Sequence, residues 1–156
     1  MSATMLIGVL SDTHGLLRPE LLTALAGVDH ILHAGDVGDP NILTALGRIA
    51  PVTAIRGNVD THGLCALLPE TEAIELAGCL IYMLHSREDL DLSPRAAGIA
   101  AVIYGHSHKP SIEDLQGVLY LNPGSAGPRR FNLPISCAHL RIQNGQPQAE
   151  ILHLLP

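Results

Sequence analysis

The chain is poor in the residues that nucleic-acid-binding proteins use. Only 3% of its 156 residues are aromatic, tryptophan is absent, and Lys109 is its one lysine. The formal net charge is −6 with histidine counted as neutral. Because the chain lacks a basic surface to neutralise a phosphate backbone, and has few rings on which bases can stack, we do not expect it to bind nucleic acids in general.

Cysteine pairs and long apolar runs are lacking as well. Cys65, Cys79 and Cys137 are odd in number, widely spaced and without a CxxC motif, which predicts reduced core residues rather than disulfides. No apolar segment approaches the roughly 20 residues of a membrane span, and the N-terminus carries no basic leader. These absences predict a cytoplasmic protein that does not associate with membranes.

Apolar residues are plentiful, at 47% of the chain, which suffices for the core of one domain over residues 1–156. The first half alternates short apolar runs with stretches of helical periodicity. We expect strands at 5–10, 30–34 and 52–55, and helices at 19–26 and 39–49. This order is a βαβαβ unit, which predicts a parallel sheet.

The second half has the pattern of antiparallel hairpins. A short helix is expected to start at Ser93-Pro94, and strands are expected at 72–76, 79–84, 101–104, 118–121, 135–142 and 148–154. Asn144-Gly145, between the last two strands, is a strong hairpin turn. Parallel strands early and hairpins late predict an α/β fold with two packed mixed sheets and helices outside them.

Four short polar clusters follow predicted strands, and they carry the chemistry of this sequence. They are Asp12-Thr13-His14, Gly35-Asp36, Gly57-Asn58 and Gly105-His106-Ser107-His108, with His85 between the third and the fourth. In an extended segment residues two apart point the same way, so Asp12 and His14 are expected to face one site while Thr13 turns away. The same applies to His106 and His108. Because strand ends hold side chains in fixed positions, these groups can meet at one sheet edge.

The clusters offer carboxylate, carboxamide and imidazole donors, and such sets suit Mn²⁺, Fe²⁺, Co²⁺, Ni²⁺ or Zn²⁺. One site could be completed by Asp12, His14, Asp36 and His108. A second could be completed by Asp36, Asn58, His85 and His106, with the Asp36 carboxylate bridging the two. Two ions roughly 3.5–4 Å apart can share a water and lower its pKa, which yields a hydroxide able to attack phosphorus.

Each cluster alone has a plainer interpretation. An isolated Asp-x-His is commonly a turn or cap, Gly-Asp and Gly-Asn are ordinary turn residues, and a lone histidine such as His85 is commonly a hydrogen-bonded core residue. Arg129 and Arg130 either clamp a substrate phosphate or form a solvated pair on a loop, and we assign the substrate contact to Arg129 together with Asn58. The joint occurrence of all the clusters at strand ends favours a metal centre.

The order of these clusters resembles the calcineurin-like metallophosphoesterase superfamily, and in particular its small single-domain bacterial and archaeal phosphodiesterases of the YfcE type. The likeness extends to Asn122-Pro123-Gly124-Ser125 and the arginine after it. It implies a four-layer α-β-β-α sandwich with a dinuclear centre, usually assayed with Mn²⁺, whose bridging hydroxide hydrolyses small phosphate esters. It also implies that the catalytic, metal-binding residues are Asp12, His14, Asp36, Asn58, His85, His106 and His108.

Two positions depart from the family pattern. Many relatives have a histidine directly after the asparagine, where this chain has Val59, so the help that this histidine gives to the phosphoryl or leaving group is missing here or comes from another residue. The fifth cluster is usually His-Gly, and in this chain it is His85-Ser86.

The resemblance also brings rival functions. The family includes the small retromer subunit of eukaryotes, which uses the fold as a protein-interaction scaffold, and a phosphomonoesterase or nucleotidase would share the same site residues. A pure scaffold has no need to keep seven ligands, which favours an enzyme whose partner is a small phosphate ester. A homo-oligomer is compatible with the sequence.

Overall fold

The chain forms two five-stranded mixed sheets. In the computed structural model, which describes residues 4–155, the strands are β1 (Thr4–Leu10), β2 (His30–His33), β3 (Val52–Ala54), β4 (Thr71–Leu76), β5 (Cys79–Leu84), β6 (Ile99–Ile103), β7 (Ser111–Leu115), β8 (Val118–Asn122), β9 (Ser136–Gln143) and β10 (Gln146–His153). The α-helices are α1 (Pro19–Ala24) and α2 (Pro40–Gly47), and short 3-10 helices lie at Leu64–Leu67 and Arg87–Asp89. Within residues 4–155, no helix is long and apolar enough to span a membrane.

The first sheet has the strand order β10-β9-β1-β2-β3. Strands β1, β2 and β3 are parallel, with α1 and α2 between them in the chain, so the predicted βαβαβ unit is confirmed. Pro19 and Pro40 begin the two helices, and the Asp39 carboxylate caps α2 by accepting from the backbone N–H of Asn41 at 2.9 Å. Strands β9 and β10 form the hairpin predicted around Asn144-Gly145.

The second sheet has the strand order β4-β5-β6-β8-β7. Its central strands β5, β6 and β8 are parallel, and the edge strands β4 and β7 are antiparallel to their neighbours. Strand β7 was missed by the sequence analysis, because its sequence Ser-Ile-Glu-Asp-Leu is mostly polar and none of its residues is fully buried. An edge strand with this composition lacks the apolar run or regular alternation by which strands are predicted.

The outer face of the second sheet is covered by the segment 87–98. The short helix predicted from Ser93-Pro94 was wrong, because residues 94–98 form turns that end at Gly98 with a positive φ of 75°. Leu90 packs on this face, and the Arg87 guanidinium lies 4.5 Å from the centre of the Tyr120 ring. Ser93-Pro94 supplied the expected helix start, but residues 94–98 form turns instead of a helix.

The main core lies between the two sheets. It combines Ile7 and Leu32 from the first sheet with Ile81, Ile103 and Leu121 from the second, and all five are fully buried. A second apolar cluster lies between the first sheet and its two helices. Aliphatic side chains therefore make up most of both clusters, and neither cluster contains an aromatic ring.

This topology brings the predicted clusters to one edge of the molecule. The loops after β1, β2 and β3 follow the carboxyl ends of three adjacent parallel strands, and the loops after β5 and β6 follow two adjacent parallel strands of the other sheet. Because the carboxyl ends of parallel strands share an edge, all five polar clusters emerge side by side.

The inter-sheet core should dominate the stability of this fold. We expect Leu121→Ala to lower the free energy of unfolding by about 2–5 kcal/mol, because Leu121 is fully buried between the sheets. The matched change Leu115→Ala, on the neighbouring strand where the leucine is 43% exposed, should cost less than about 1 kcal/mol. Urea unfolding followed by circular dichroism measures both, and equal losses would contradict the described core.

Candidate metal centre

The Asp12 carboxylate lies just after β1 and is fully buried. Its Oδ2 atom accepts hydrogen bonds from the Ser11 hydroxyl at 2.7 Å and from the backbone N–H of His106 at 3.2 Å. Its Oδ1 atom is buried without a hydrogen-bond partner. A buried carboxylate oxygen is costly when it has no compensating charge or hydrogen bond, so the groups around Oδ1 show what the site is built to hold.

Three imidazoles surround that oxygen. Asp12 Oδ1 lies 3.5 Å from His108 Nε2 and 3.7 Å from both His14 Nε2 and His85 Nε2. These separations are too long for good hydrogen bonds. They are close to those of ligands on a shared ion, because donors about 2.1 Å from a metal lie about 3.0–3.4 Å from one another.

The orientation of His85 fits a cation. Its Nδ1 lies 2.7 Å from the carbonyl oxygen of Ala34, so Nδ1 carries the ring proton and donates it to that oxygen. Its Nε2 is buried without a hydrogen-bond partner and lies 3.2 Å from Asp36 Oδ2. A lone pair and a carboxylate oxygen repel at this distance unless a proton or a metal ion lies between them. A hydrogen bond at one ring nitrogen that orients the other is usual among metal-binding histidines.

The donor atoms form two overlapping groups, which are Asp12, His14 and His108, and Asp12, Asp36 and His85. Within each group the donor atoms lie within 4.8 Å of one another. From the sequence, Asp36 was expected to be the shared ligand, and Asp12 was not paired with His85. In the structure Asp12 belongs to both groups, and Asp36 Oδ2 also lies 3.6 Å from His14 Nε2.

The other two predicted ligands, Asn58 and His106, lie at the open side of these groups. Both are exposed, and together with His85 they line a cavity beside the donor atoms. The His106 ring packs edge-on against His85 at a centroid distance of 5.3 Å. The structure thus places five of the seven predicted ligands in the donor groups and the remaining two at their mouth.

A family profile for the calcineurin-like phosphoesterase superfamily domain matches residues 5–145. The chain belongs to the calcineurin-like phosphoesterase superfamily. It is similar to a protein of Methanothermobacter thermautotrophicus named "Probable metallophosphoesterase", with 37% identity over 95% of this chain and 92% of that protein. The family suggested by the clusters is therefore confirmed.

Two solved structures share the fold of this phosphoesterase-family chain. An archaeal phosphodiesterase has a TM-score of 0.78 at 23% identity, covering 95% of this chain and 100% of that one. Vacuolar Protein Sorting 29 from Cryptosporidium parvum has a TM-score of 0.77 at 18% identity, covering 96% of this chain and 97% of that one. At these identities the likeness shows the fold, and it confirms the predicted class of two packed mixed sheets.

The backbone that presents the donors in this phosphoesterase-family site is not extended. Positive φ angles occur at Asp12 (59°), His14 (46°), Asp36 (55°), His106 (71°) and His108 (63°). The expectation that extended geometry aligns residues two apart was therefore wrong, although Asp12 and His14 do meet. Left-handed conformations cost about 1–3 kcal/mol each in residues other than glycine and cluster at functional sites.

The charges of the donors support one another. Burial by itself would raise the pKa of Asp12, but the imidazoles of His108, His14 and His85 outweigh burial and lower that pKa. The Asp12 carboxylate raises the pKa of His14. Burial opposes protonation of His85, yet the Asp36 and Asp12 carboxylates raise its pKa. The buried carboxylates thus draw positive charge into the site, which is the charge that a metal ion would supply.

Asp60 supports the site, although the sequence analysis gave it no role. Its buried carboxylate accepts hydrogen bonds from the backbone N–H groups of Val37 at 3.1 Å, Gly38 at 3.0 Å and Gly57 at 2.9 Å. It therefore joins the loop that carries Asp36 to the loop after β3. Its one signal in the sequence is a carboxylate placed soon after the third cluster.

His33 and Thr13 connect the loop after β1 to the loop after β2 through hydrogen bonds. Burial lowers the pKa of His33 to about 4, so the ring is neutral at pH 7. Its Nδ1 accepts from the backbone N–H of Gly35 at 3.2 Å, and Nε2–H donates to the Thr13 hydroxyl at 2.9 Å, which donates to the Val37 carbonyl at 2.9 Å. Thr13 turns away from the donor groups as expected, and its role is to hold their loops together.

The two arginines of the loop after β8 take different directions. Arg129 donates from Nη1 to the carbonyl of Leu133 at 3.3 Å. Arg130 lines a second cavity, which it shares with His106. The substrate contact assigned to Arg129 stays a prediction, and Arg130 is the arginine that the structure places on a cavity beside the candidate ligands.

Glycine precedes three of the clusters because other loops approach closely there. A Cβ atom at Gly57 would overlap the backbone N and carboxylate of Asp36, and one at Gly105 would overlap the Ser11 hydroxyl. The absence of a side chain therefore lets the loops pack directly against the carboxylates.

We expect Gly57→Ala to weaken Mn²⁺ binding by about 10- to 100-fold, because the added methyl group displaces Asp36. Gly47→Ala is the matched control, since a Cβ there would meet no atom within 4 Å beyond its chain neighbours and its own helix backbone, and it should bind the ion as the wild type does. Isothermal titration calorimetry of metal-stripped protein measures both affinities. Wild-type affinity in Gly57→Ala would contradict the close packing of this loop on Asp36.

Proposed function

We propose that this protein is a phosphodiesterase that hydrolyses small phosphate esters with divalent metal ions. The observation that carries the proposal is the set of buried, unpartnered donor atoms, Asp12 Oδ1, His14 Nε2 and His85 Nε2, beside the carboxylate of Asp36. Family membership supports the reaction class, and a phosphodiesterase of Methanocaldococcus jannaschii that is 26% identical over 77% of this chain supports diester hydrolysis. We retain the cytoplasmic location predicted from the sequence as part of this proposal.

The proposed centre holds two ions, most suitably Mn²⁺. Its ligands are the seven residues Asp12, His14, Asp36, Asn58, His85, His106 and His108. The donors are all nitrogen and oxygen, which suits first-row divalent ions. When bound, such ions supply Lewis-acid stabilisation of the phosphoryl group and generate a nucleophile from water at neutral pH.

In this reaction the protein orients the buried carboxylates of Asp12 and Asp36. Ser11 and the backbone N–H of His106 hold one oxygen of Asp12, and the backbone N–H of Val59 holds Asp36 Oδ1 at 3.0 Å. The other carboxylate oxygens therefore face the imidazoles. Preorganised charge of this kind needs little rearrangement during reaction, which is a major source of catalysis.

Asn58 and His106 lie where a phosphate ester would enter, at the exposed mouth of the donor groups. In the proposal the Asn58 amide and the Arg129 guanidinium contact phosphoryl oxygens. A phosphomonoesterase would use the same contacts, so the choice of a diester rests on the relative that is named a phosphodiesterase. The fold by itself also fits a scaffold such as Vacuolar Protein Sorting 29.

The metal requirement gives a direct test. Metal-stripped protein reconstituted with Mn²⁺ should hold close to two ions per chain and hydrolyse bis(p-nitrophenyl) phosphate. Asp36→Asn should lose at least one ion and more than about 100-fold of the rate, because it removes a charged donor. Asp39→Asn, the same change at the cap of α2, should retain both properties because asparagine also caps helices.

Elemental analysis and the rate of p-nitrophenol release provide these two readouts. A protein that binds no metal, or that binds two ions and hydrolyses neither mono- nor diesters, would contradict the enzyme and favour the scaffold. Hydrolysis of monoesters alone would overturn the preference for diesters.

Because Val59 stands where many relatives have a histidine, we expect the rate of hydrolysis to depend on the basicity of the leaving group. Its side chain is 42% exposed beside Asp36 and carries no proton donor. Aryl diesters, whose leaving groups depart readily as anions, should therefore react much faster than alkyl diesters. Val59→His should narrow this gap, because a positioned general acid contributes up to about 10²–10⁴-fold.

Val59→Ala is the control for this prediction, since it changes the side chain without adding a donor. Pre-steady-state rates with aryl and alkyl esters isolate the chemical step from product release. Equal wild-type rates for the two ester types would show that another residue supplies the proton, and His62 and Arg129 would be tested next.

A further inference from the structure

Two cavities open on either side of His106 at the mouth of the candidate metal centre. One has a volume of about 730 Å³ and includes Glu88, Asp89 and Asp91, and we call it the acidic cavity. The other has a volume of about 570 Å³ and includes Lys109, Arg130 and Phe131, and we call it the Phe131 cavity. A phosphodiester has two ester arms, so a phosphorus atom bound between the cavities would direct one arm toward each.

The acidic cavity carries uncompensated negative charge. Arg56, the one arginine of this cavity, is neutralised by Glu70 through an ion pair of 2.6 Å. None of the ion pairs formed by residues 4–155 involves Glu88, Asp89 or Asp91. The same cavity contains His85, whose side chain is only 9% exposed and whose Nε2 has no hydrogen-bond partner. This cavity therefore leads to the candidate ligands but repels an anionic ester arm.

The Phe131 cavity has the opposite charge. Lys109 and Arg130 line it together with His106, and no carboxylate does. This cavity is therefore locally positive, although the net charge of the chain is −6. An anionic group next to the metal centre would therefore be stabilised on this side and destabilised on the other.

Two features of Phe131 are energetically unfavourable, namely the exposure of its ring and its backbone conformation. It is the chain's one phenylalanine and is 86% exposed. Its backbone also has a φ of 53°, in the left-handed region that bulky residues rarely adopt. A core role cannot explain an exposed ring, and turn formation would favour glycine or asparagine at this φ. A ring on the wall of a cavity beside a catalytic centre is suited to stacking on a planar group.

We propose that the substrate is a phosphodiester whose one arm carries a planar ring and a further negative charge, bound by Phe131, Arg130 and Lys109. The second arm, in the acidic cavity, is uncharged or cationic. This inference rests on the proposed phosphodiesterase function and adds the class of substrate. Phe131, Arg130 and Lys109 determine specificity and take no part in bond cleavage.

Three diesters with a common leaving group test the assignment. They are the p-nitrophenyl esters of methyl phosphate, phenyl phosphate and 4-carboxyphenyl phosphate. In each case water adds its oxygen to phosphorus, the P–O bond to p-nitrophenolate breaks, and the protons of water pass to the products and solvent. We expect kcat/KM to rise from methyl to phenyl by about tenfold through stacking, and from phenyl to 4-carboxyphenyl by about fivefold through charge.

Variants separate the two contributions. Phe131→Ala should abolish the advantage of phenyl over methyl, whereas the advantage of 4-carboxyphenyl over phenyl, of about fivefold, should remain. The double variant Lys109→Gln/Arg130→Gln should remove the advantage of 4-carboxyphenyl over phenyl. The advantage of phenyl over methyl should remain. Arg95→Gln is the control, because it removes an exposed cation outside both cavities, and it should keep the wild-type order.

The inference and the proposed function can fail separately. If the wild type hydrolyses all three diesters equally well, or if Phe131→Ala keeps the wild-type order, the inference is wrong while the phosphodiesterase stands. If no diester is hydrolysed, the proposed function fails, and calorimetric binding of 4-carboxyphenylphosphonate and methylphosphonate to the Mn²⁺-loaded protein decides the inference. Tighter binding of the aryl compound that depends on Phe131 supports the cavity, and equal binding overturns it.

Discussion

A fully buried carboxylate at Asp12, with one oxygen satisfied by hydrogen bonds and the other surrounded by imidazoles, is the constraint around which this structure is arranged. Removing such a charge from water is unfavourable unless it meets compensating charge. The loops after β1, β5 and β6 supply the imidazoles of His14, His85 and His108, which provide that compensation. The left-handed backbone at five candidate ligands is tolerated because the surrounding loops fix it.

The packing of the two sheets makes that arrangement possible. Aliphatic side chains fill the space between them, and the parallel strands of both sheets end at the same edge. Behind the donors, Asp60 and the pair His33 and Thr13 connect the loops through hydrogen bonds to backbone groups. The candidate ligands are thus positioned by a rigid scaffold, and the exposed residues around the mouth remain available for recognition.

An enzyme and Vacuolar Protein Sorting 29 share this fold, so function has to be argued from the site. In this site, buried donor atoms without hydrogen-bond partners lie next to two cavities that differ in charge. The buried carboxylates of Asp12 and Asp36 require compensating positive charge, so the inner part of the site is suited to a cation. The outer part carries opposite charges on either side of His106, which suits an ester with two unlike arms.

The sequence by itself determined the order of the early strands and helices, the aliphatic core and the list of polar clusters, because these depend on local periodicity and on residue chemistry. Strand β7 and the turns at 94–98 were out of reach, because one is a polar edge strand and the other begins with a Ser-Pro pair that fits a turn as well as a helix start. Only the tertiary structure brought Asp12 next to His85 and put Asp60, which the clusters did not reveal, behind the ligand loops. Only it set Phe131 and Arg130 on one side of His106 and the carboxylates on the other. Distances between loops depend on how the strands pack, and no local pattern in the chain encodes them.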